Sequence, residues 1–304
     1  MRILLTGSSG TIGTRLFETL LPQHQVVGVD IKQNKWSSKL NAHTLRADLR
    51  NSDELANLPP DLDLVIHFAA NARVYELVKR PELALDNMVI SFNVLEFMRK
   101  NHINNIIFAS SRETYGNIME GDSIPEDRVR LENCESPYSA SKMSTEAMVH
   151  AYSKVYGIDS VIVRFSNVYG MYDDSDRVIP LWIKQTSNRQ DLIVYGKDKT
   201  LDFTYIDDTV EGVINIITKF DQVKGNILNI AYGKSTKLLT VAEEMKRLLN
   251  AENRIIVKEN RLGEVWKFQA DISKAKELLG YNPMVGIEEG LKRTAEWYKD
   301  FYIN

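Results

Sequence analysis

Tyr138 and Lys142 stand four residues apart in the stretch SPYSASK, a spacing that puts both on one face of a helix. A phenol with an ordinary pKa near 10 is a poor base at neutral pH. An ammonium one turn away stabilises the phenolate and pulls that value down, so the pair could take a proton from a hydroxyl and return it. Read alone, the same spacing also describes an ordinary solvated helix face. Ser136 and Pro137 supply an N-cap and a first-turn proline for that helix. A second stretch, FASSRETYG, ends an apolar run with Ser111, Arg112 and Glu113. If the chain stays extended there, Ser111 and Glu113 share one face and Arg112 takes the other. Glu113 would then be a carboxylate base beside a hydroxyl donor, or else would pair with a local cation and shape a pocket. Arginine stays charged and cannot act as a general acid.

The third chemistry-bearing stretch opens the chain. In MRILLTGSSGTIG an apolar strand runs into Gly7, Gly10 and Gly13 and continues as an apolar-periodic helix, and the next strand ends in Asp30. Strand, glycine turn, helix, strand and acid is the context of a dinucleotide cradle. Gly7 permits the turn, Gly10 lets the backbone approach a pyrophosphate, and Gly13 lets helix and strand pack closely. Unpaired amides at the helix start favour the anion. Asp30 accepts from ribose hydroxyls and repels a 2′-phosphate, which favours NAD over NADP; Lys32 and Lys35 weaken that preference slightly.

The elements that must position these groups are legible as alternating patterns. RILLTG, QVVGVD, HTLRAD, LDLVIHFAA, NNIIFASS and DSVIVRFSN read as strands, and helix-period segments lie between them. Near-continuous apolar strands separated by helices predict an α/β fold, a Rossmann-type doubly wound parallel sheet covered on both faces. Beyond Tyr169 and Gly170 the rhythm changes, which predicts a smaller, discontinuous α/β substrate-binding lobe. The expected division is 1–168 for the dinucleotide domain, with elements of about 203–231 returning to it, and 169–202 plus 232–304 for the lobe.

A chain of 304 residues with 26% charged residues and a net charge of -3 carries no polybasic run, so neither nucleic acid nor an anionic membrane is an expected partner. One cysteine, Cys134, excludes an intramolecular disulfide and suits a reducing cytoplasm. The strand at the N-terminus leaves no room for a signal peptide, and no apolar run reaches membrane-spanning length. The five histidines are scattered without ligand spacing, so no metal site is expected.

The spacing G-x-x-G-x-x-G at Gly7, Gly10 and Gly13 resembles the extended branch of the short-chain dehydrogenase/reductase superfamily. The stretches ADL at 47–49, HFAANA at 67–72 and YSASK following FASS agree with it. The resemblance implies NAD as cofactor, with contacts from Thr11, Ile12, Asp48, Leu49, Phe68, Ala69, Ala70 and Asn87 in addition to the glycines, Asp30, Tyr138 and Lys142. His67 would run along the cofactor, or would be a packed core histidine. Tyr138 would be the base, Lys142 its electrostatic partner and ribose anchor, and Ser111 a donor to the reacting oxygen.

The second half resembles the nucleotide-sugar epimerases and dehydratases of that branch. RFSNVYG implies Asn167 as a contact to the substrate diphosphate, NRLGE implies Arg261 as a pyrophosphate clamp, and ADISKAKELLGYNP matches the C-terminal pattern. The implied activity is an NAD-dependent nucleotide-sugar 4-epimerase for a UDP-hexose or UDP-hexuronate, working through a transient 4-keto sugar. A 4,6-dehydratase or glucuronate decarboxylase using Glu113, and a non-catalytic NAD-binding sensor, are the alternatives. The two long helices carry apolar residues on more than one face; the resemblance, in which these helices pair across a dimer, implies a homodimer, the alternative being burial within the monomer. Three departures stand out: Leu201-Asp202-Phe203 where many relatives carry Arg-Asp-Phe, so that a contact would be lost or moved to Lys199 or Lys197; Ile90 and Ser91 after Asn87; and Arg112-Glu113 after Ser111.

Overall fold

The computed structural model describes residues 1–118 and 123–302. The apolar runs of the first half become β1 (Arg2–Thr6), β2 (Gln25–Asp30), β3 (Thr44–Arg46), β4 (Leu64–His67), β5 (Asn105–Ser111) and β6 (Asp159–Phe165). The second half adds β7 (Asn167–Tyr169), β8 (Leu192–Tyr195), β9 (Thr200–Tyr205), β10 (Ile227–Ile230), β11 (Ser235–Lys237) and β12 (Ile255–Lys258). The helices of the first half are α1 (Thr11–Leu20), α2 (Ser38–Asn41), α3 (Ser52–Leu55), α4 (Val74–Lys79), α5 (Glu82–Lys100) and α6 (Pro137–Tyr156). Those of the second are α7 (Val178–Ser187), α8 (Ile206–Thr218), α9 (Phe220–Val223), α10 (Leu238–Leu248), α11 (Ser273–Leu279) and α12 (Ile287–Tyr302).

Seven strands form the main sheet in the order β10-β6-β5-β4-β1-β2-β3, and every neighbouring pair is parallel. The sheet is buried on both faces, which is why its strands read as unbroken apolar runs. In β1, Ile3 and Leu5 point to the side covered by Leu16 and Phe17 of α1 and Val210 and Val213 of α8. Leu4 points to the opposite side, with Val94 and Met98 of α5 and Val149 of α6. The doubly wound sheet predicted from the sequence is the observed architecture.

The smaller lobe has a three-stranded sheet, β11-β9-β7, and the pair β12-β8. Its core joins Trp182 of α7, Tyr205 of β9, Met245 of α10 and Tyr298 of α12. β9 therefore belongs to the lobe, and the chain returns to the main sheet with α8, then β10. Asp202, fully buried on β9, accepts hydrogen bonds from the amides of Tyr232 (3.1 Å), Gly233 (2.9 Å) and Ala270 (3.2 Å). One carboxylate thus ties three separate segments of the chain together. Among the described residues no helix is long and apolar enough to cross a membrane.

Candidate active site

The carboxyl ends of β1, β4 and β5 converge on one side of the sheet, where open parallel sheets collect ligands. At the end of β1 the chain turns through Gly7 in the left-handed region (φ +70°). A Cβ on Gly7 would lie 2.8 Å from the Ala69 amide nitrogen, and one on Gly13 would lie 2.0 Å from the Gly7 carbonyl oxygen. Gly7 is restricted to glycine by contact as well as by angle, and Gly13 by contact alone. Gly10 precedes α1 without any side-chain cap, so the first-turn amides, those of Thr11 and Ile12 included, remain available to an anion. The Thr11 hydroxyl donates to the Tyr172 carbonyl at 3.2 Å, which ties the cradle to the smaller lobe. Asp30 ends β2 and accepts from the amides of Ser9 (3.0 Å) and Lys32 (2.9 Å), which orients its carboxylate beside the glycine turn. This set fits a dinucleotide.

Further along the same edge the side chains are more committed than the sequence suggested. Asp48 is gripped by Arg50 (2.6 Å), which holds its carboxyl below the usual carboxylate range. The Leu49 side chain is buried in the core. Phe68 packs edge-on against Phe165, and the amides of Phe68 and Ala69 both donate to the Thr6 hydroxyl oxygen (3.2 Å each). That leaves the Thr6 proton for Nδ1 of His67 (2.7 Å), so Nδ1 accepts and Nε2 donates to the Ser91 oxygen at 3.1 Å. Burial, with the Lys142 charge adding to it, drops the His67 pKa to about 3. Of the two readings of His67, the neutral, packed histidine is the one observed, with Ser91 as its partner. Asn87, expected to touch the cofactor, hydrogen-bonds to the protein through both atoms of its side-chain amide. It accepts from the Asn71 amide (2.7 Å) and donates to the Asn71 carbonyl (3.1 Å) and the Ser141 hydroxyl (3.2 Å). It stitches the loop carrying Phe68, Ala69 and Ala70 to α6.

The cap expected from Ser136 and Pro137 starts α6: the Ser136 hydroxyl accepts from the Ser139 amide at 3.1 Å. Tyr138 and Lys142 follow on its buried side, and the Ser111 hydroxyl lies close enough to the Tyr138 phenol to favour its ionised form. Burial pushes the phenol up to about 12; Glu113 adds to the shift, while Ser111, Arg177 and Arg112 oppose it. Lys142 donates to the Ala109 carbonyl at 2.7 Å, and burial lowers its amine to about 8. The expected activation of Tyr138 combines the Lys142 ammonium with the positive ring of bound NAD. In the protein alone desolvation outweighs every cation nearby.

The expectation of an extended chain after Ser111 is also corrected. Residues Arg112–Thr114 form a 3-10 turn capped by the Ser111 hydroxyl, which accepts from the Glu113 amide (3.2 Å). Strand alternation no longer applies there. Glu113 is buried and paired with Arg112 at 2.7 Å, and it accepts from the Val265 amide at 3.4 Å. Burial raises its carboxyl above the ordinary range against the pull of Arg112 and Lys199. Lys199 in turn pairs with Glu264 at 2.6 Å, and Glu264 faces Arg261 at 3.8 Å. The Arg261 guanidinium lies over the rings of Tyr195 (3.9 Å) and Tyr75 (4.7 Å). Arg112 donates through Nε to the Asn167 side-chain oxygen at 3.2 Å. These contacts form a charged wall running from the end of β5 across the smaller lobe.

The profile of the NAD dependent epimerase/dehydratase family matches residues 3–231. The chain belongs to that family. A putative UDP-glucose 4-epimerase of Methanocaldococcus jannaschii is 34% identical, with 98% of each chain covered. A UDP-glucuronate 4-epimerase of Thermodesulfobacterium geofontis is 30% identical over 98% of this chain and 96% of its own. The crystal structure of the UDP-glucuronic acid 4-epimerase from Bacillus cereus, in complex with UDP-glucuronic acid and NAD, superposes with a TM-score of 0.92 at 29% identity. It covers 99% of this chain and 100% of that one.

NAD is the family's cofactor, and this epimerase/dehydratase chain offers it a glycine cradle, Asp30 and the buried Tyr138–Lys142 helix face. Among the described residues no cluster of three or more His, Cys, Asp or Glu side chains could hold a metal. Sequence reasoning missed Arg177, whose charge reaches Tyr138 from a stretch, DDSDR, that carries no motif. It also missed the pairing of Lys199 with Glu264. A lysine two residues before the departure at Leu201 was the available signal, but its partner lies 65 positions away.

Proposed function

We propose that the protein is a nucleotide-sugar 4-epimerase acting on a UDP-hexose or UDP-hexuronate. The observation that carries this reading is Glu113: its carboxylate is locked against Arg112 in a buried turn beside the Ser111–Tyr138 hydroxyl pair. Elimination of water needs an acid to protonate the leaving hydroxyl, and the side chain between Ser111 and Glu113 is an arginine, which cannot supply that proton. Proton transfer at one carbinol needs only the hydroxyl pair.

In this reading Tyr138 takes the proton of the sugar's 4-hydroxyl and later returns it, while Ser111 donates to the reacting oxygen. Bound NAD supplies reversible two-electron chemistry at that carbon, by way of a 4-keto sugar. Lys142 anchors the nicotinamide ribose, and Asp30 the adenosine ribose. Asn167 and Arg261 hold the diphosphate, the fixed point about which a sugar can present either face. The protein works in the cytoplasm as a homodimer: Leu85 and Phe92 of α5 and Val155 and Tyr156 of α6 are large apolar side chains left exposed on two adjoining helices.

The test is incubation of NAD-loaded protein with UDP-glucose and UDP-glucuronate, products being separated by chromatography. The 4-epimer of one of them is expected, with no loss of water or carbon dioxide. Tyr138→Phe lowers kcat by about 10²–10⁴-fold, and Glu113→Gln slows turnover without abolishing it. Loss of water or carbon dioxide from wild type, abolished in Glu113→Gln, would overturn the reading in favour of a dehydratase or decarboxylase.

A further inference from the structure

Arg112 is a buried cation with an unfilled hydrogen-bonding position. It is 7% exposed, held through Nη2 by Glu113 (2.7 Å) and through Nε by Asn167 (3.2 Å). Its guanidinium lies over the Phe268 ring at 5.7 Å. Its Nη1 has no partner, and neither has Nδ2 of Asn167, although both atoms are buried. Buried donors are almost always satisfied, and these two belong to side chains joined by a hydrogen bond at the ligand-collecting edge of the sheet. Both atoms are donors, so the group that completes them is an acceptor.

We propose that Arg112, together with Asn167, is a binding residue for the substrate diphosphate; this rests on the nucleotide-sugar reading above. Two other positions that could have supplied a cation do not. Lys199 is spent on Glu264, and position 201, the departure from the Arg-Asp-Phe of many relatives, is a buried leucine in the apolar core of the lobe. Arg261 remains, in contact with two tyrosine rings. A guanidinium fixed by three contacts cannot follow a sugar that turns over during the reaction, whereas the diphosphate stays in place. A sugar carboxylate set against Arg112 would also face the carboxylate of Glu113, while a phosphoryl oxygen is a strong acceptor of the kind that guanidinium groups bind well.

The experiment titrates NAD-loaded protein with UDP, which has no sugar, by calorimetry, with uridine as the phosphate-free control. Arg112→Met alone would bury Glu113 unpaired, so the comparison is between Glu113→Gln and the double variant Arg112→Met/Glu113→Gln, with Arg112→Lys as a charge-preserving third. Relative to Glu113→Gln, the double variant is expected to bind UDP about 10–100-fold more weakly, the loss of one charge-assisted hydrogen bond. The same factor is expected for UDP-glucose and UDP-glucuronate, and none for uridine. Arg112→Lys, which keeps the charge and loses the planar donor set, is expected to fall between wild type and the double variant, and it reads the same quantity should the double variant fail to fold. Unchanged UDP affinity in the double variant and in Arg112→Lys overturns the proposal. So does a loss confined to one of the two sugar nucleotides, which would make Arg112 a reader of the sugar. Wild type that binds neither UDP nor dTDP removes the nucleotide-sugar reading itself. An Arg112-dependent UDP affinity without epimer formation keeps the site and removes only the reaction.

Discussion

At the scale of single residues, the site is governed by desolvation. Tyr138, Lys142, His67 and Glu113 are all buried, and in each burial is the largest cause of the shift, moving the group toward its neutral form. His67 gives the cleanest consequence. Its folded pKa of about 3 lies below the unfolded value of 6.5, so between those values the unfolded chain binds the proton that the folded chain refuses. Its contribution to stability is complete above about pH 6.5 and declines as the pH falls, with a limiting slope of about 1.4 kcal/mol per pH unit. Urea titrations from about pH 7 down to about pH 5 should show this slope, and it should be absent from His67→Gln, whatever the offset between the two curves. Equal slopes would mean that His67 is protonated in the folded state. The sequence could not choose between the two readings of this histidine because the deciding partners, Thr6 and Ser91, are 61 and 24 positions away. The extended backbone expected at Arg112 and Glu113 failed for a different reason, although the pairing of Glu113 with a local cation was one of its two readings. A hydroxyl capping a turn two residues on, as Ser111 does, leaves no periodic trace in the residue pattern.

At the scale of elements, those with an apolar or periodic signal of their own were legible, the three-residue β3 among them, and those that exist only as partners of another strand were not. The six strands of the first half and the helices α1, α5 and α6 carry enough apolar period, caps and glycines to be read directly. β7 and β11 have three residues each, and exist because β9 offers both its edges; nothing within three residues can announce that. α6 shows how an element sets the chemistry. Its Ser136 cap and its end at Gly157, in the left-handed region (φ +69°), fix the turn on which Tyr138 rides. Ser136→Ala removes an acceptor from the first-turn amides and should cost about 1 kcal/mol in denaturant unfolding. Because Tyr138 lies in that first turn, kcat should fall while KM for the nucleotide sugar stays near the wild-type value. A change in stability with kcat unaltered would show that the Ser111–Tyr138 contact alone holds the phenol.

At the scale of the whole molecule, an aromatic cluster joins the cofactor side to the smaller lobe. Trp36, six residues beyond Asp30, meets Trp297 at 5.0 Å, Phe301 at 5.2 Å and Tyr172 at 6.2 Å. Trp297 also packs on Tyr298 at 4.8 Å. Beside them Lys35 pairs with Asp174 at 2.6 Å, half exposed, an ion pair worth no more than about 1 kcal/mol. Aromatic pairs contribute about 0.5–1.5 kcal/mol each beyond the area they bury, so the rings rather than the ions hold α12 against the loop that follows β2. Trp36→Ala removes three of these ring contacts at once and should cost about 3 kcal/mol. The loss should not be uniform. The core of the main sheet does not include Trp36, whereas the cluster that does is that of the smaller lobe. Hydrogen exchange in Trp36→Ala should therefore rise first in α12, while the amides of β1 and β5 keep their protection. Equal acceleration in α12 and β1 would mean that the two cores unfold as one unit, and that the cluster stabilises the molecule without joining its lobes.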